Sequence, residues 1–239
     1  MLNQYQHRNL QRGLSLVELM VGITVGLFVV AAASMMMTSQ LGENRRLLVE
    51  TQLQQDLRAT ADIISREIRR AGYSATAQSS VWQPSVIEPT TSPFQSITVT
   101  AGSQGAVEYN YKRPDNAPGP FKYSVLNGVI RTRLSNNSSE QELTDAKVLY
   151  VDSLTITQNL SDPVRMSCPK ACPAPATLPV LPATAADYCW PTLAVSEFVV
   201  TIAGRAVNDA AIQRTVTARV RMRNDPLVFH VATGKACPA

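Results

Sequence analysis

Apolar residues are concentrated in one uninterrupted run near the start of the chain, from Leu14 to Met37. These 24 residues would form a helix of about 36 Å, which is long enough to cross the hydrocarbon core of a bilayer. The only charged side chain in the run is Glu18, and no basic residue lies in the run to pair with it. A carboxylate inside a membrane helix is costly, so Glu18 is a candidate functional residue whose partner must lie elsewhere.

A second helical pattern, predicted over residues 38–72, continues the apolar run without a proline. Apolar residues spaced by three or four positions define one face, which consists of Leu53, Leu57, Ala61, Ile64, Ile68 and Ala71. The charged residues of the other face are interpreted as a solvated surface: Asp56, Arg58, Asp62, Arg66, Glu67, Arg69 and Arg70. Gly72 is predicted to end the helix as its C′ residue. The two stretches together would form one helix of about 85–90 Å.

Beyond residue 72 the pattern changes to short β-prone runs separated by turn residues. The predicted strands or strand pairs are 96–101, 106–113, 121–134, 147–160, 195–207 and 212–224. Asn127-Gly128 between β-prone flanks is a strong hairpin signal. Because strands and helices do not alternate, the sheet should be mainly antiparallel, and the predicted fold class is α+β with the long helix packed on the sheet.

The predicted organisation therefore has four parts. A leader occupies residues 1–13, a transmembrane helix 14–37, its amphipathic continuation 38–72 and a β domain 73–239. Within the β domain, residues 162–191 contain seven prolines and are predicted to form a long loop with little regular structure.

The proline-rich loop contains three of the four cysteines, Cys168, Cys172 and Cys189, and the fourth is Cys237. Disulfides are favoured over a metal site because Cys168 and Cys172 form CxxxC rather than CxxC, and because histidine is nearly absent. Two connectivities stay open. The first pairs Cys172 with Cys189 and Cys168 with Cys237, and the second pairs Cys168 with Cys172 and Cys189 with Cys237.

Charge and motifs argue against several classes of function. The net charge is +4, but the leader supplies two of the basic residues, so the excess beyond it is too small to indicate a nucleic-acid partner. Alternating Arg219, Arg221 and Arg223 would place three guanidinium groups on one strand face, as Arg131 and Arg133 would in the hairpin. A solvated face, or salt bridges to a neighbouring subunit, is preferred over nucleic-acid binding because no aromatic residues interleave with these arginines.

Catalytic signatures are missing from the sequence. It contains no P-loop, no GxSxG and no HExxH motif. With only His7 and His230 in the chain, a conventional Ser-His-Asp triad is also not expected. The sequence therefore predicts a protein that is not an enzyme and that needs no cofactor or metal.

The start of the apolar run carries a specific motif. Gly13-Leu14-Ser15-Leu16-Val17-Glu18-Leu19 follows a short leader whose charged residues are Arg8 and Arg12, and this arrangement resembles the leader of type IV prepilins. The resemblance implies that a prepilin peptidase cuts after Gly13 and N-methylates Leu14, a position where the family usually has Phe. The new amine, on this chain or a neighbouring one, would then lie one helical turn from Glu18 and could neutralise it in lipid.

Two later segments extend the resemblance. The helix end Ser65–Tyr73 looks like the R-[DE]-I-R-x-A-G-Y segment of PilW-type minor pilins, and Val220–Asn224 resembles the final strand of that family. The resemblance implies a structural subunit that primes or supports type IV pilus assembly near the tip, with other minor pilins and the major pilin as partners. Such a subunit is held in the bacterial inner membrane, with its β domain in the periplasm, before it enters the fibre.

Two other functions remain open at this point. A J-like pseudopilin of type II secretion would share the leader and the layout. A tip receptor or adhesin would instead use the proline-rich loop to bind DNA or a surface.

Overall fold

The computed structural model describes residues 13, 15–74, 92, 94–112, 119–168, 189–225 and 227–228. Within these residues the chain forms one helix and eleven strands. It divides into two compact units, Met1–Val49 and Glu50–Ala239. The predicted α+β class is confirmed.

The first unit contains the apolar part of the helix α1, which spans Leu16–Arg70. Every described residue from Gly13 to Leu48 is exposed in the single chain. By length and composition, the helix is long and apolar enough to cross a membrane. A helix with this much apolar surface and no core of its own must be covered by lipid or by other subunits.

In the second unit, one face of α1 is buried. Its buried residues are Leu53, Leu57, Thr60, Ala61, Ile64, Ser65 and Ile68. The predicted apolar face is thereby confirmed, including Ala71, which is 1% exposed. The helix ends at Arg70, and Gly72 follows with a φ of 78°, the left-handed conformation expected of a C′ residue.

The described strands form three sheets, and every pairing between these strands is antiparallel. One isolated parallel bridge joins Gln104 to Leu154. The five-stranded sheet has the order β1 (Ile97–Thr100), β2 (Ala106–Tyr109), β3 (Phe121–Leu126), β4 (Val129–Arg133) and β5 (Gln141–Glu142). The second sheet contains β10 (Gln213–Arg221), β9 (Ser196–Ala206) and β6 (Leu149–Leu160). The third sheet contains β11 (Leu227–Val228), β8 (Thr192–Leu193) and β7 (Val164–Arg165).

Each of the six predicted β-prone runs contains a strand. The β3–β4 hairpin turns at Asn127 and Gly128, whose φ values of 53° and 75° are both positive, as the favoured two-residue hairpin turn requires. The run from residue 147 to 160, predicted as one or two strands, is the single strand β6 with an irregularity between Val151 and Ser153.

The proline-rich segment is described only in part, because residues 169–188 lie outside the described residues. Its described residues contain one regular element, the two-residue strand β7, so the expectation of a long loop stays a prediction. Cys168 and Cys189 flank residues 169–188, and both are buried and disulfide-bonded. Because Cys172 and Cys237 lie outside the described residues, both proposed connectivities stay predictions.

The core of the second unit lies between α1 and the β6–β9 pair. Leu154 and Ile156 of β6 and Phe198 and Ile202 of β9 are at most 1% exposed. A Cβ at Gly204 of β9 would lie 3.3 Å from Cδ2 of Leu57, so the absence of a side chain there lets the helix approach the sheet closely.

Glu67 departs from the prediction of a solvated helix face. Its carboxylate accepts a hydrogen bond of 2.8 Å from the Tyr111 hydroxyl and pairs with Arg70 at 3.1 Å. The Glu67 side chain is only 18% exposed, so it joins α1 to the segment that follows β2. The periodicity placed Glu67 among charged neighbours, and nothing local in the sequence indicated a tyrosine 44 residues away.

Tyr111 belongs to a buried aromatic cluster on the five-stranded sheet. Tyr109 stacks on Tyr111 and on Tyr123, with ring centroids 6.1 Å apart in both pairs, and Phe121 packs at 4.9 Å from Tyr111. Burial, followed by the nearby hydroxyl of Tyr123 and the charge of Glu67, raises the pKa of Tyr109 far above its ordinary value. Burial, followed by the charge of Glu67, also raises the pKa of Tyr123. At a pH at which these hydroxyls would ionise in the unfolded chain, they stay neutral in the folded protein.

We predict that Leu57→Ala lowers the free energy of unfolding by about 2–5 kcal/mol, because it empties a fully buried position. The matched control is Leu48→Ala, which removes the same atoms from a side chain that is 71% exposed on the same helix. Urea denaturation of the detergent-solubilised chain measures both. Equal losses in the two variants would contradict the assigned burial.

We also predict alkaline destabilisation that depends on Tyr109. Since its folded pKa is raised, the folded state holds a proton that the unfolded state loses, and stability should fall as pH rises above about 10. Tyr109→Phe should reduce that dependence by up to about 1.4 kcal/mol per pH unit. Phe121→Leu, a change in the same cluster without a titrating group, should leave the pH dependence unchanged while lowering stability at neutral pH. An unaltered alkaline profile in Tyr109→Phe would contradict the prediction.

Candidate functional site

The first candidate site is the N-terminus of α1. The backbone N–H of Leu19 donates to the carbonyl of Ser15 at 3.1 Å, so Ser15 caps the helix and Glu18 lies in its first turn. Gly13 lies two residues before the cap and is exposed, and a Cβ placed there would meet nothing within 4 Å. Leu14 lies outside the described residues. The predicted cleavage point is therefore next to the helix start, on an accessible glycine.

Glu18 differs from the other polar side chains in the apolar run. The hydroxyl of Thr24 donates to the carbonyl of Val21 at 2.9 Å, and that of Ser34 donates to Val30 at 2.8 Å, so the helix itself satisfies both groups. The carboxylate of Glu18 has no hydrogen bond or ion pair to any residue that the structure describes. It is the one acidic group in the described run that needs a partner from outside it.

The spacing of Ser15 and Glu18 would allow a capping box. In that motif the glutamate side chain reaches back to the backbone N–H of the cap residue. The two residues are both described, and this hydrogen bond is not formed between them. The carboxylate therefore lies free of Ser15 in the first turn of the helix and remains available to another group.

The second candidate site lies within the second unit, where the two segments that resembled minor pilins meet. Asn224 donates from Nδ2 to the carbonyl of Ala71 at 3.2 Å. A Cβ at Gly72 would come within 2.9 Å of the Asn224 carbonyl oxygen, so only glycine fits here without displacement. These contacts join the end of α1 to the residues that follow β10, although about 150 residues separate them along the chain.

A cleft of about 460 Å³ opens at this junction. Its lining residues are Arg69, Arg70, Tyr73, Tyr111, Lys112, Arg223 and Asn224. We call it the helix-end cleft. An adjoining depression of about 490 Å³ is lined by Arg69, Arg221, Met222 and Arg223. The structure thus gathers basic side chains from three separate segments into one place.

The predicted alternation of exposed arginines and buried apolar residues is confirmed. Arg219, Arg221 and Arg223 are exposed, while the intervening Val220 and Met222 are 2% exposed. Arg221 pairs with Asp225 at 3.8 Å. The alternation follows β10 to its end at Arg221 and continues for two residues beyond it.

The hairpin arginines have partners within the chain. Arg131 pairs with Glu142 at 3.0 Å, and Arg133 pairs with Glu108 at 3.1 Å. The prediction of a solvated face, or of salt bridges to a neighbouring subunit, was therefore wrong for these two residues. Because their charges are compensated on the sheet itself, the hairpin offers little free positive charge to a polyanion.

No group of three or more His, Cys, Asp and Glu side chains that could hold a metal ion occurs among the residues that the structure describes. The candidate sites consist of a processing and assembly segment at the helix start and a basic cleft at the helix end.

Comparison with known protein families matches both parts of the chain. Residues 8–34 match the prokaryotic N-terminal methylation motif, and residues 46–222 match the model of prepilin peptidase-dependent protein B. No curated protein and no solved structure matches the chain. The apolar N-terminal helix, the antiparallel sheets and the methylation motif define a type IV pilin-like protein. The chain belongs to the prepilin peptidase-dependent protein B family.

Membership has consequences for processing and context. It implies that prepilin peptidase processes the chain and that the chain acts in the context of pilus assembly. The apolar helix with its prepilin motif fits anchoring in the inner membrane. Pilin-like families are generally structural rather than enzymatic, which agrees with the class predicted from the sequence.

Proposed function

We propose that the protein is a minor pilin of the PilW type that primes or supports type IV pilus assembly near the tip of the fibre. Prepilin peptidase cuts after Gly13 and N-methylates Leu14. The apolar part of α1 holds the subunit in the inner membrane, with the β domain in the periplasm, until the subunit enters the fibre. The observation that carries the proposal is the carboxylate of Glu18, which has no partner among the described residues and lies in the first turn of an apolar helix whose Thr24 and Ser34 hydroxyls bond to its own backbone.

Glu18 acts as the group that docks the subunit. A carboxylate in an apolar medium gains most from a cationic partner at short range, and a freshly cut N-terminal amine supplies one. The amine of Leu14, on this chain or on a neighbouring pilin, would lie close to the first turn of such a helix. Pairing would remove the cost of the isolated charge and fix the axial position of one helix against the next.

The rest of the first unit fits a helix that moves between two apolar environments. Large aliphatic and aromatic side chains are exposed all around it, including Phe28 at 77% and Met35 at 75%. Burying each such side chain gains about 1.5–3 kcal/mol, in lipid before assembly and against other pilins afterwards. The same surface can therefore serve as an anchor and later as a fibre contact.

Substitution of Gly13 tests the processing step. We predict that Gly13→Val leaves the leader attached and abolishes incorporation into pili, because the peptidase needs the glycine at the cut. Gly42→Ala is the matched control, since a Cβ at Gly42 also meets nothing within 4 Å but lies far from the cut. Gel mobility reports cleavage, and electron microscopy of the cells counts pili. Normal pili containing the uncleaved chain would overturn the proposal.

Substitution of Glu18 tests docking separately from processing. We predict that Glu18→Gln is still cleaved but enters fibres at least about tenfold less, a loss that corresponds to 1.4 kcal/mol or more of docking energy. Glu43→Gln removes another exposed acid from the same helix and should assemble normally.

The amount of each variant in sheared fibres, relative to the amount in the membrane, gives the readout. Equal incorporation of Glu18→Gln and Glu43→Gln would contradict the role of Glu18. If loss of the protein abolished type II secretion and spared piliation, the protein would be a pseudopilin instead.

A further inference from the structure

The helix-end cleft is a built feature of the second unit, because backbone hydrogen bonds fix its three walls. The N–H of Lys112 donates to the carbonyl of Tyr73 at 2.8 Å, and the N–H of Gly72 donates to Asn110 at 2.9 Å. The N–H of Arg223 approaches the carbonyl of Arg69 at 3.4 Å. The basic residues thus project from backbone segments that are already ordered, which lowers the entropic cost of binding a ligand.

The positive charge in the cleft is not balanced within the described residues. Arg70 pairs with Glu67. Arg69, Lys112 and Arg223 have no ion pair to any described residue. Arg69 can interact favourably with the negative end of the helix dipole, but that effect is weak at an exposed position and is screened by salt. Lys112 comes from the segment after β2 and Arg223 from the segment after β10, so the helix end does not explain their presence.

Building on the proposed function, we propose that the helix-end cleft binds an acidic, carboxylate-bearing segment of a neighbouring pilin-like subunit. The cleft's volume lies within the range of pockets that enclose small ligands, so it has room for a few side chains. Guanidinium groups bind carboxylates through paired hydrogen bonds, and Lys112 adds a third cation. The ring of Tyr73, half exposed at the cleft, offers an apolar surface for the backbone of the incoming segment.

A nucleic acid fits the cleft less well. Binding of single strands uses several exposed aromatic rings on which successive bases stack. Of the two rings in the cleft, Tyr111 is 8% exposed and its hydroxyl is bound to Glu67, which leaves only Tyr73. The hairpin arginines Arg131 and Arg133 are already paired with acidic residues of the sheet.

Peptide binding by the full chain in detergent tests the proposal. The probes are fluorescein-labelled hexaglutamate, hexaglutamine and hexathymidylate. At low ionic strength the protein should bind hexaglutamate more tightly than the other two. In Lys112→Gln/Arg223→Gln the dissociation constant for hexaglutamate should rise by about tenfold or more, because two of the cations are gone.

The control is Arg58→Gln/Arg219→Gln, which removes the same charge from exposed positions outside the cleft and should change the dissociation constant by less than about twofold. Equal weakening by the two double variants would overturn the proposal, since it would show a general effect of net charge. Tighter binding of hexathymidylate, or no preference for hexaglutamate over hexaglutamine, would also overturn it.

A charge-reversal variant shows whether a loss of hexaglutamate binding is caused by misfolding. Lys112→Glu/Arg223→Glu should prefer hexalysine to hexaglutamate, provided that thermal melting shows a cooperative transition. A folded reversal variant that keeps the original preference would contradict the site. Cleavage after Gly13 is measured in the same preparations. Absence of hexaglutamate binding in a correctly cleaved chain would contradict the cleft proposal alone, whereas absence of cleavage would contradict the proposed function.

Discussion

Burial of one face of α1 between Leu53 and Ile68 is the contact on which the folded β domain depends. That face lies in the core with β6 and β9, and Gly204 lets Leu57 approach the sheet closely. Each fully buried leucine or isoleucine contributes about 1.5–3 kcal/mol, so this one stripe supplies a large share of the marginal stability of a domain. The first unit has no equivalent contact, because every described residue of its helix up to Leu48 is exposed. One helix therefore combines a part that completes a soluble core with a part that needs lipid or other subunits.

Polar side chains on α1 also differ between the apolar part of the helix and the part in the second unit. In the apolar part, the hydroxyls of Thr24 and Ser34 donate to carbonyls of the helix backbone, and the carboxylate of Glu18 has no partner among the described residues. In the second unit, Glu67 looks like one more surface charge but binds Tyr111 and influences a buried tyrosine cluster. Two glutamates on one helix thus differ in their surroundings: Glu67 has partners within its unit, and Glu18 has none among the described residues.

The sequence predicted the elements whose signals are local. The 3–4 spacing located the buried helix face, and Asn127-Gly128 located the hairpin turn, because both patterns arise from neighbours within a few residues. The two-residue strands β5, β7, β8 and β11 were missed, since so short a strand has no periodicity to detect.

The two candidate sites also differ in whether the sequence could predict them. The processing motif around Gly13 and Glu18 is contiguous and could be predicted, and the matched methylation motif covers it. The helix-end cleft could not be predicted, because Arg69, Lys112 and Arg223 come together only after the sheet has formed. The pairing of Arg131 and Arg133 with sheet glutamates was likewise a consequence of strand register. In each case the missing information was the tertiary structure, which brings distant segments together.

The central claim is that the helix start is a processed terminus whose amine and Glu18 form the docking pair. The most direct measurement is the intact N-terminal mass of the wild-type protein isolated from membranes and from sheared pili. The account predicts that the chain begins at Leu14 in both fractions and carries one N-methyl group. A protein that begins at Met1, or that is cut beyond Glu18 and so loses the carboxylate, would contradict it.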